Sequence, residues 1–223
     1  VNEAALFAVR RESLAIERLD FENARDRVVM GARRESLVLN PEEKRATAYH
    51  EGGHALVARF LPNTDVVNKI TIIPRGRAAG VTWFLPEEGD FKYKDQLENE
   101  LAIAFGGRVA EEIIFKRIST GASNDIKQAT KLANRMIRSF GMSDNLAPLS
   151  YEDHDDNIFI GREMTQAKSY SESSAQKIDA EIALLIDRAY QKAKKVLEEN
   201  LDILHALTEL LIERETVMGS ELD

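Results

Sequence analysis

The sequence predicts a mainly α fold: a helical domain with a small β-sheet beside one central helix and a helical hairpin at the C-terminal end. Three observations indicate this class. Apolar residues recur three or four positions apart over several long segments, which is the period of an amphipathic helix. Two short segments rich in β-branched residues, 66–74 and 80–86, follow the central helix and favour strands. Two consecutive helical patterns, 171–199 and 201–214, come last.

Composition and charge exclude several classes of protein. The 223 residues are 43% hydrophobic and 30% charged, as in ordinary globular domains. The formal charge of -8 argues against nucleic acid as a partner, because such proteins need a basic surface. No apolar run could cross a bilayer and no signal peptide is present, so we expect a soluble piece of a longer protein. The chain lacks cysteine, which leaves His, Asp and Glu as candidate metal ligands.

The first two helices are expected over 1–11 and 20–31, with Asp20 as the N-cap of the second. Residues 33–40 are expected to form a linker. The central helix should begin at Pro41, behind Asn40 as its N-cap, and stop before Pro62.

The central helix contains the sequence His50-Glu51-Gly52-Gly53-His54. Residues four apart in a helix lie about 40° apart around its axis, so both histidines share one face and can bind one metal ion. The glutamate between them lies beside that pair, where it can reach a water on the metal. A single histidine is usually structural, but this spacing with Glu between is typical of zinc peptidases. The sequence therefore predicts a catalytic zinc site.

The two strand segments should form a small sheet next to the central helix. Val81, Thr82, Trp83 and Phe84 could form an edge strand beside the metal that pairs with an extended peptide substrate. The simpler alternative is that the two aromatic side chains only fill the core. The residues by themselves favour this alternative.

The second half of the chain is predicted to contain four more helices. One begins at Asp95, with Glu98 three residues later, and runs to 115; the glycines at 106–107 within it indicate close packing on another helix. The polar cluster 119–125 opens a helix over 126–140, which Gly141 ends. The acidic tract 152–156, in the loop 143–162, is interpreted as solvated surface rather than a cation site. The two C-terminal helices follow.

A catalytic zinc site takes three protein ligands, so a third ligand is needed. Val57 and Phe60 stand where a metzincin would have glycine and a third histidine, which excludes that class. The remaining candidates are Glu111, Glu112 and Asp125. Asp125 lies at the start of a helix, where a short side chain is held rigidly, whereas Glu111 is better placed to accept the second ring N–H of a histidine ligand. The residues favour Asp125 without excluding the others.

Five segments together carry a resemblance to a known family: 49–56 (YHEGGHAL), 69–76 (KITIIPRG), 80–82 (GVT), 105–114 (FGGRVAEEII) and 119–126 (STGASNDI). In this order and spacing they resemble the peptidase domain of the FtsH family, the membrane-anchored ATP-dependent zinc metalloproteases. The resemblance covers essentially the whole chain. It departs from the family pattern at Gly52, where the family has alanine, and at 116–118, where the family loop is often longer.

The resemblance implies a role for each candidate residue. His50, His54 and Asp125 would bind Zn²⁺, and Glu51 would be the catalytic base. Glu111 would not bind the metal itself but would hydrogen-bond to one of its ligands. The fold would be a zinc-peptidase helical domain over 39–223. Residues 1–38 would be the C-terminal helices of an AAA lid subdomain plus a linker.

The resemblance also implies properties of the parent protein: a homo-hexamer that degrades membrane and soluble polypeptides. It would be anchored in the bacterial inner membrane, or an organellar membrane, through upstream segments, with this domain facing the cytoplasm. ATP and Mg²⁺ would be bound only by an ATPase module, because the chain contains no G-x-x-x-x-G-K-[ST] sequence. Two other hypotheses are a non-catalytic ring-assembly module with a structural zinc and a freestanding small-peptide hydrolase.

Overall fold

The computed structural model describes residues 1–33, 40–76, 78–86, 89, 91–151 and 170–222. Within them, helices make up most of the chain and three short strands form one sheet, which confirms the predicted mainly α class. The elements in chain order are α1 (Asn2–Arg10), α2 (Arg18–Met30), α3 (Pro41–Phe60), β1 (Val66–Thr71), β2 (Val81–Leu85), α4 (Lys94–Phe115), α5 (Ser123–Arg138), α6 (Glu172–Glu199), α7 (Leu201–Arg214) and β3 (Thr216–Met218), followed by a 3₁₀ turn, Gly219–Glu221. The acidic tract 152–156 and most of the 33–40 linker lie outside the described residues. In the part of the chain that is described, no helix is long and apolar enough to cross a membrane.

The central helix α3 begins where the sequence predicts, because its first turn carries its own cap. Asn40 Oδ1 accepts a hydrogen bond from the Glu43 N–H at 2.8 Å, and the Glu43 carboxylate accepts one from the Asn40 N–H at 3.2 Å. Pro41, which has no N–H to satisfy, takes the first helical position.

Several predicted helix starts were wrong by one to three residues, and the largest error is at α5, which begins at Ser123 and not at 126. Asp20 is not the N-cap of α2 but its third residue: it accepts the N–H of Glu17, the true N-cap, at 2.9 Å, and also binds Arg11. Helix α4 begins at Lys94, one residue before Asp95. Its third residue, Gln96, accepts a hydrogen bond from the N–H of the N-cap Tyr93 at 2.8 Å. In both helices the side chain that reaches back belongs to the third helical position, as in a capping box.

The sheet has the order β2-β1-β3, and both pairings are antiparallel. Ile70 at its centre pairs with Thr82 of β2 and with Val217 of β3. The two predicted strands are confirmed, whereas β3 was missed because three residues are too few to establish an alternating pattern. Strand β2 is therefore an edge strand, and it lies next to α3.

The core is built around the contact of α3 with α4. A Cβ atom at Gly53 would lie 2.4 Å from the carbonyl oxygen of Gly106, so the two helix backbones touch at these glycines. The close packing predicted for the glycine pair of α4 is thus confirmed. Helices α6 and α7 are present as expected and meet at Asn200, but α6 packs chiefly on α4 and α7 chiefly on α3.

A buried ion pair ties the N-terminal helices to the sheet. Lys69 of β1 donates to Asp26 of α2 at 2.7 Å, and both residues are less than 9% exposed. Arg25 of the same helix lies over the ring of Trp83, 5.9 Å from its centre. The second helix therefore packs on the strands that follow the central helix.

Candidate metal centre

The two histidines of α3 lie one turn apart and face each other. Their rings are 4.7 Å apart between centroids and nearly perpendicular, at 79°. The Nε2 atoms of His50 and His54 are 3.1 Å apart. The predicted placement of both imidazoles on one helix face is present.

Each ring is oriented by a hydrogen bond from its other nitrogen. His50 Nδ1 donates to Glu111 Oε1 at 2.7 Å, and His54 Nδ1 donates to the carbonyl oxygen of Ile103 at 2.7 Å. Because both acceptors belong to α4, the crossing of α3 and α4 fixes the rotation of both rings. This leaves both Nε2 atoms directed at a common point, which is how histidine ligands of metals are usually held.

The third donor comes from the first turn of α5. Asp125 Oδ2 lies 3.2 Å from His50 Nε2 and 3.8 Å from His54 Nε2. Two donor atoms that bind one zinc ion at the usual bond length, with a tetrahedral angle between the bonds, lie about 3.3 Å from each other. The three observed separations are close to that value, so one zinc ion fits between these atoms. Among the described residues this is the one group of His, Asp and Glu side chains close enough to bind a single ion.

The electrostatics of the group also favour a cation. Burial opposes charge on His50, but hydrogen bonds with Asp125 and Glu111 outweigh it and raise the pKa of this imidazole to about 10. Burial would raise the pKa of Asp125, yet its contacts with His50 and His54 hold that pKa well below the usual range. The carboxylates thus stabilise positive charge among the ligands, which is the role a metal ion takes when bound.

Glu51 lies beside the ligands and points toward β2. The Thr82 hydroxyl lies 2.8 Å from Glu51 Oε2 and 2.9 Å from the Glu51 carbonyl oxygen. Glu51 is only 7% exposed, and this burial raises the pKa of its carboxyl group. The carboxylate is therefore held close to the ligands but is not one of them.

Sequence reasoning missed one residue that the site needs. A Cβ atom at Gly107 would lie 2.6 Å from three atoms of the His50 ring, so only glycine leaves room for that imidazole. Both glycines of the pair lie close to α3, as the helix-packing explanation predicts, but the neighbour of Gly107 is the ring of a candidate metal ligand, a role that this explanation did not include. No local signal separates the two, because each contact depends on how α3 crosses α4.

The other candidate residues lie outside the ligand group, and the structure gives them different contacts. Glu112 accepts a hydrogen bond from Tyr190 of α6 and is not part of the ligand group. Val81, Thr82, Trp83 and Phe84 all lie on the edge strand. Of their side chains, that of Thr82 reaches Glu51, the indole lies against α2, and Phe84 packs on the core.

Comparison with known proteins agrees with this geometry. The family model described as peptidase family M41 matches residues 37–223. The chain is 50% identical, over its full length, to 33% of a protein of Magnetococcus marinus named "ATP-dependent zinc metalloprotease FtsH". Proteins of the same name from Cupriavidus metallidurans and Buchnera aphidicola subsp. Baizongia pistaciae are 50% and 48% identical over the whole chain, which covers 34% and 37% of them. The chain thus spans about a third of the length of these relatives.

The family match and the zinc-metalloprotease names of these relatives agree with the ligand group that α3 and α5 form. The chain belongs to peptidase family M41, the FtsH family of zinc metallopeptidases.

Proposed function

We propose that this domain is a zinc-dependent endopeptidase in which His50, His54 and Asp125 bind the metal and Glu51 is the general base. The proposal rests on the convergence of three donor atoms from α3 and α5. The buried carboxylate of Glu51, which belongs to α3, lies beside them. Three protein ligands leave a fourth position for water, as in catalytic rather than structural zinc sites.

Each residue then has a defined task in peptide hydrolysis. Zinc, when bound, supplies the Lewis acidity that activates a water and polarises the scissile carbonyl. Glu51 accepts the proton of the attacking water and delivers it to the departing amine. Glu111 keeps the His50 ring in place through its hydrogen bond to Nδ1.

The substrate is proposed to bind along β2 as an extended peptide. Among the described residues the strand pairs with β1 alone, so the main-chain groups of Val81–Leu85 on its other side can pair with a peptide. Thr82 brings this strand to within one hydrogen bond of Glu51. A peptide paired with β2 would therefore run past the proposed base.

For the parent protein we propose the ATP-dependent protease that the names of the relatives suggest, with the membrane anchor that the family resemblance implies. It would degrade membrane and soluble proteins as a homo-hexamer anchored in the bacterial inner membrane, or an organellar membrane, with this domain on the cytoplasmic side. Residues 1–38 would be the end of an AAA lid plus a linker, and ATP and Mg²⁺ would be bound in the remaining two thirds. Light scattering of the full-length protein tests the hexamer.

The test of the catalytic base is the substitution Glu51→Gln. We expect casein cleavage by the zinc-loaded chain to fall by about 100-fold or more, because an amide cannot accept the proton. Zinc content, measured by atomic absorption, should not change. The matched control is Glu112→Gln, which alters a carboxylate on α4 that binds Tyr190, and it should retain cleavage. Full activity in Glu51→Gln would refute the assignment.

Anomalous scattering at the zinc edge tests the open position. Crystals grown with zinc should show protein ligation by His50, His54 and Asp125 alone. The alternative, a ring-assembly module with structural zinc, requires a fourth protein ligand. A fourth protein ligand at the ion would therefore favour that alternative.

A further inference from the structure

The Glu51 side chain lies in a pocket formed by the start of strand β2. The Thr82 hydroxyl contacts Oε2 at 2.8 Å. Gly80, two residues earlier, also lies against this side chain: a Cβ atom there would be 2.7 Å from Thr47 Cγ2, 2.8 Å from Glu51 Cγ and 2.9 Å from Oε1. One carboxylate oxygen thus faces a hydroxyl, and the other lies against a residue that has no side chain.

A carboxylate in this position needs an external constraint. Glutamate has three rotatable side-chain bonds, so a helix alone does not fix the direction of its oxygens. Threonine is β-branched and held in a strand, which makes its hydroxyl a rigid partner. The strand itself is held by β1, where Ile70, which is fully buried, pairs with Thr82.

We infer that Thr82 is a positioning residue for the Glu51 carboxylate, with Gly80 providing the space that this orientation needs. The inference rests on the proposed role of Glu51 as general base. The carboxylate that the hydroxyl orients is the group that exchanges a proton with water and the leaving amine. The same strand therefore orients the base and offers its free edge to the substrate.

The test compares Thr82→Val, which keeps the shape and removes the hydroxyl, with Thr82→Ser, which keeps the hydroxyl. For the zinc-loaded chain and a quenched fluorescent peptide we expect kcat to fall by about 10-fold or more in the valine variant, the usual cost of losing a hydrogen bond to a charged group. KM and zinc content should stay within about twofold, since the main chain and the ligands are unchanged. The serine variant should recover most of the loss.

Thr71→Val is the matched control for effects on the sheet. Its hydroxyl lies on β1 and contacts Thr216 at 2.9 Å, away from Glu51. It should lower the midpoint of thermal unfolding without lowering kcat. An equal loss of kcat in this control would mean that the sheet, and not the Thr82 hydroxyl, governs the rate.

A second readout does not depend on activity. In crystals of the metal-free Thr82→Val variant, the Glu51 carboxylate should leave the position it occupies in the parent chain, whereas in Thr82→Ser it should stay. Gly80→Ala should displace it as well. An unmoved carboxylate in Thr82→Val, together with parental kcat, would overturn the inference.

Glu51→Gln, measured alongside, separates the two hypotheses. If this variant is inactive and Thr82→Val is as active as the parent chain, the positioning role fails while the proposed base stands. If Glu51→Gln is fully active, the proposed base itself fails.

Discussion

The two faces of helix α3 differ in how closely they are packed, although they are built from adjacent residues. On the face toward α4, a Cβ at Gly53 would lie 2.4 Å from a backbone oxygen. On the face toward α7, a Cβ at Gly52 would meet side chains only, the nearest being Leu204 at 3.4 Å, which is ordinary contact. The face that carries the proposed metal ligands therefore depends on backbone geometry, whereas the other face depends on side chains that can adjust.

The hydrogen bonds of the two faces follow the same division. Toward α4, both metal-site imidazoles bind partners fixed on that helix. Toward α7, Tyr49 binds His205 across the helix contact, with 2.8 Å between the hydroxyl and Nδ1. The first set orients the proposed metal ligands, and the second joins two helices. Changes on the two faces should therefore have different consequences.

The largest effect is expected from Gly53→Ala. The added methyl group cannot avoid the backbone of α4, so the helices must separate, and we expect the free energy of unfolding to fall by about 3 kcal/mol. Urea unfolding of the metal-free chain followed by circular dichroism measures it. A loss below about 1 kcal/mol would show that the helix contact is adaptable, and that the two faces are alike.

Zinc binding at the face that carries the proposed ligands should raise the free energy of unfolding by a similar amount. At a zinc concentration 100 times the dissociation constant, the folded state should gain about 2.7 kcal/mol over the metal-free chain, and a chelator should remove this gain. Calorimetric unfolding with and without zinc measures it. His50→Ala should not respond to zinc. The control His205→Ala, which changes the other face, should respond as the parent chain does.

Glu111→Gln should weaken metal binding without changing a ligand. The carboxylate accepts the Nδ1 proton of His50, and such partners contribute about 10- to 100-fold to metal affinity. Competition with a chromogenic chelator measures the dissociation constant of zinc. Glu112→Gln, on the next residue, is the control and should bind zinc normally. Equal affinities in both variants would contradict a role for Glu111 in holding the ring.

The smallest effect, and the only stabilising substitution, is expected from Gly52→Ala. Alanine favours a helix over glycine by up to about 1 kcal/mol, and the new methyl group would make ordinary contacts with α7. The free energy of unfolding should rise by about this amount, with zinc affinity unchanged. Destabilisation would mean that the α7 face is as tightly packed as the α4 face.

The sequence predicted the features that depend on neighbouring residues. The start of α3 follows from Asn40 and Pro41, and the shared face of His50 and His54 follows from their spacing. The glycine contact between helices was expected because two glycines inside a long helix need a packing reason.

The remaining features depend on distant parts of the chain. Asp125 meets the histidines only because α5 returns to α3, so the residues alone left Glu111 and Glu112 open as alternatives. Thr82 reaches Glu51 because of how the sheet lies on α3, and Trp83 turns toward α2 for the same reason. Side-chain direction on an edge strand cannot be read from its sequence when both faces are covered.

Strand β1 pairs with one strand that is close to it in sequence, β2, and with one that is far from it, β3. The contact between Thr71 and Glu215, the residue just before β3, joins residues 144 positions apart. Such pairing forms slowly, because the entropy of closing a long loop is lost before the contacts between the strands form. During synthesis the metal ligands emerge from the ribosome well before β3, so the ligand group can assemble while β1 still has an open side. A chain truncated before Thr216 would keep that open side permanently and expose an unpaired strand to aggregation.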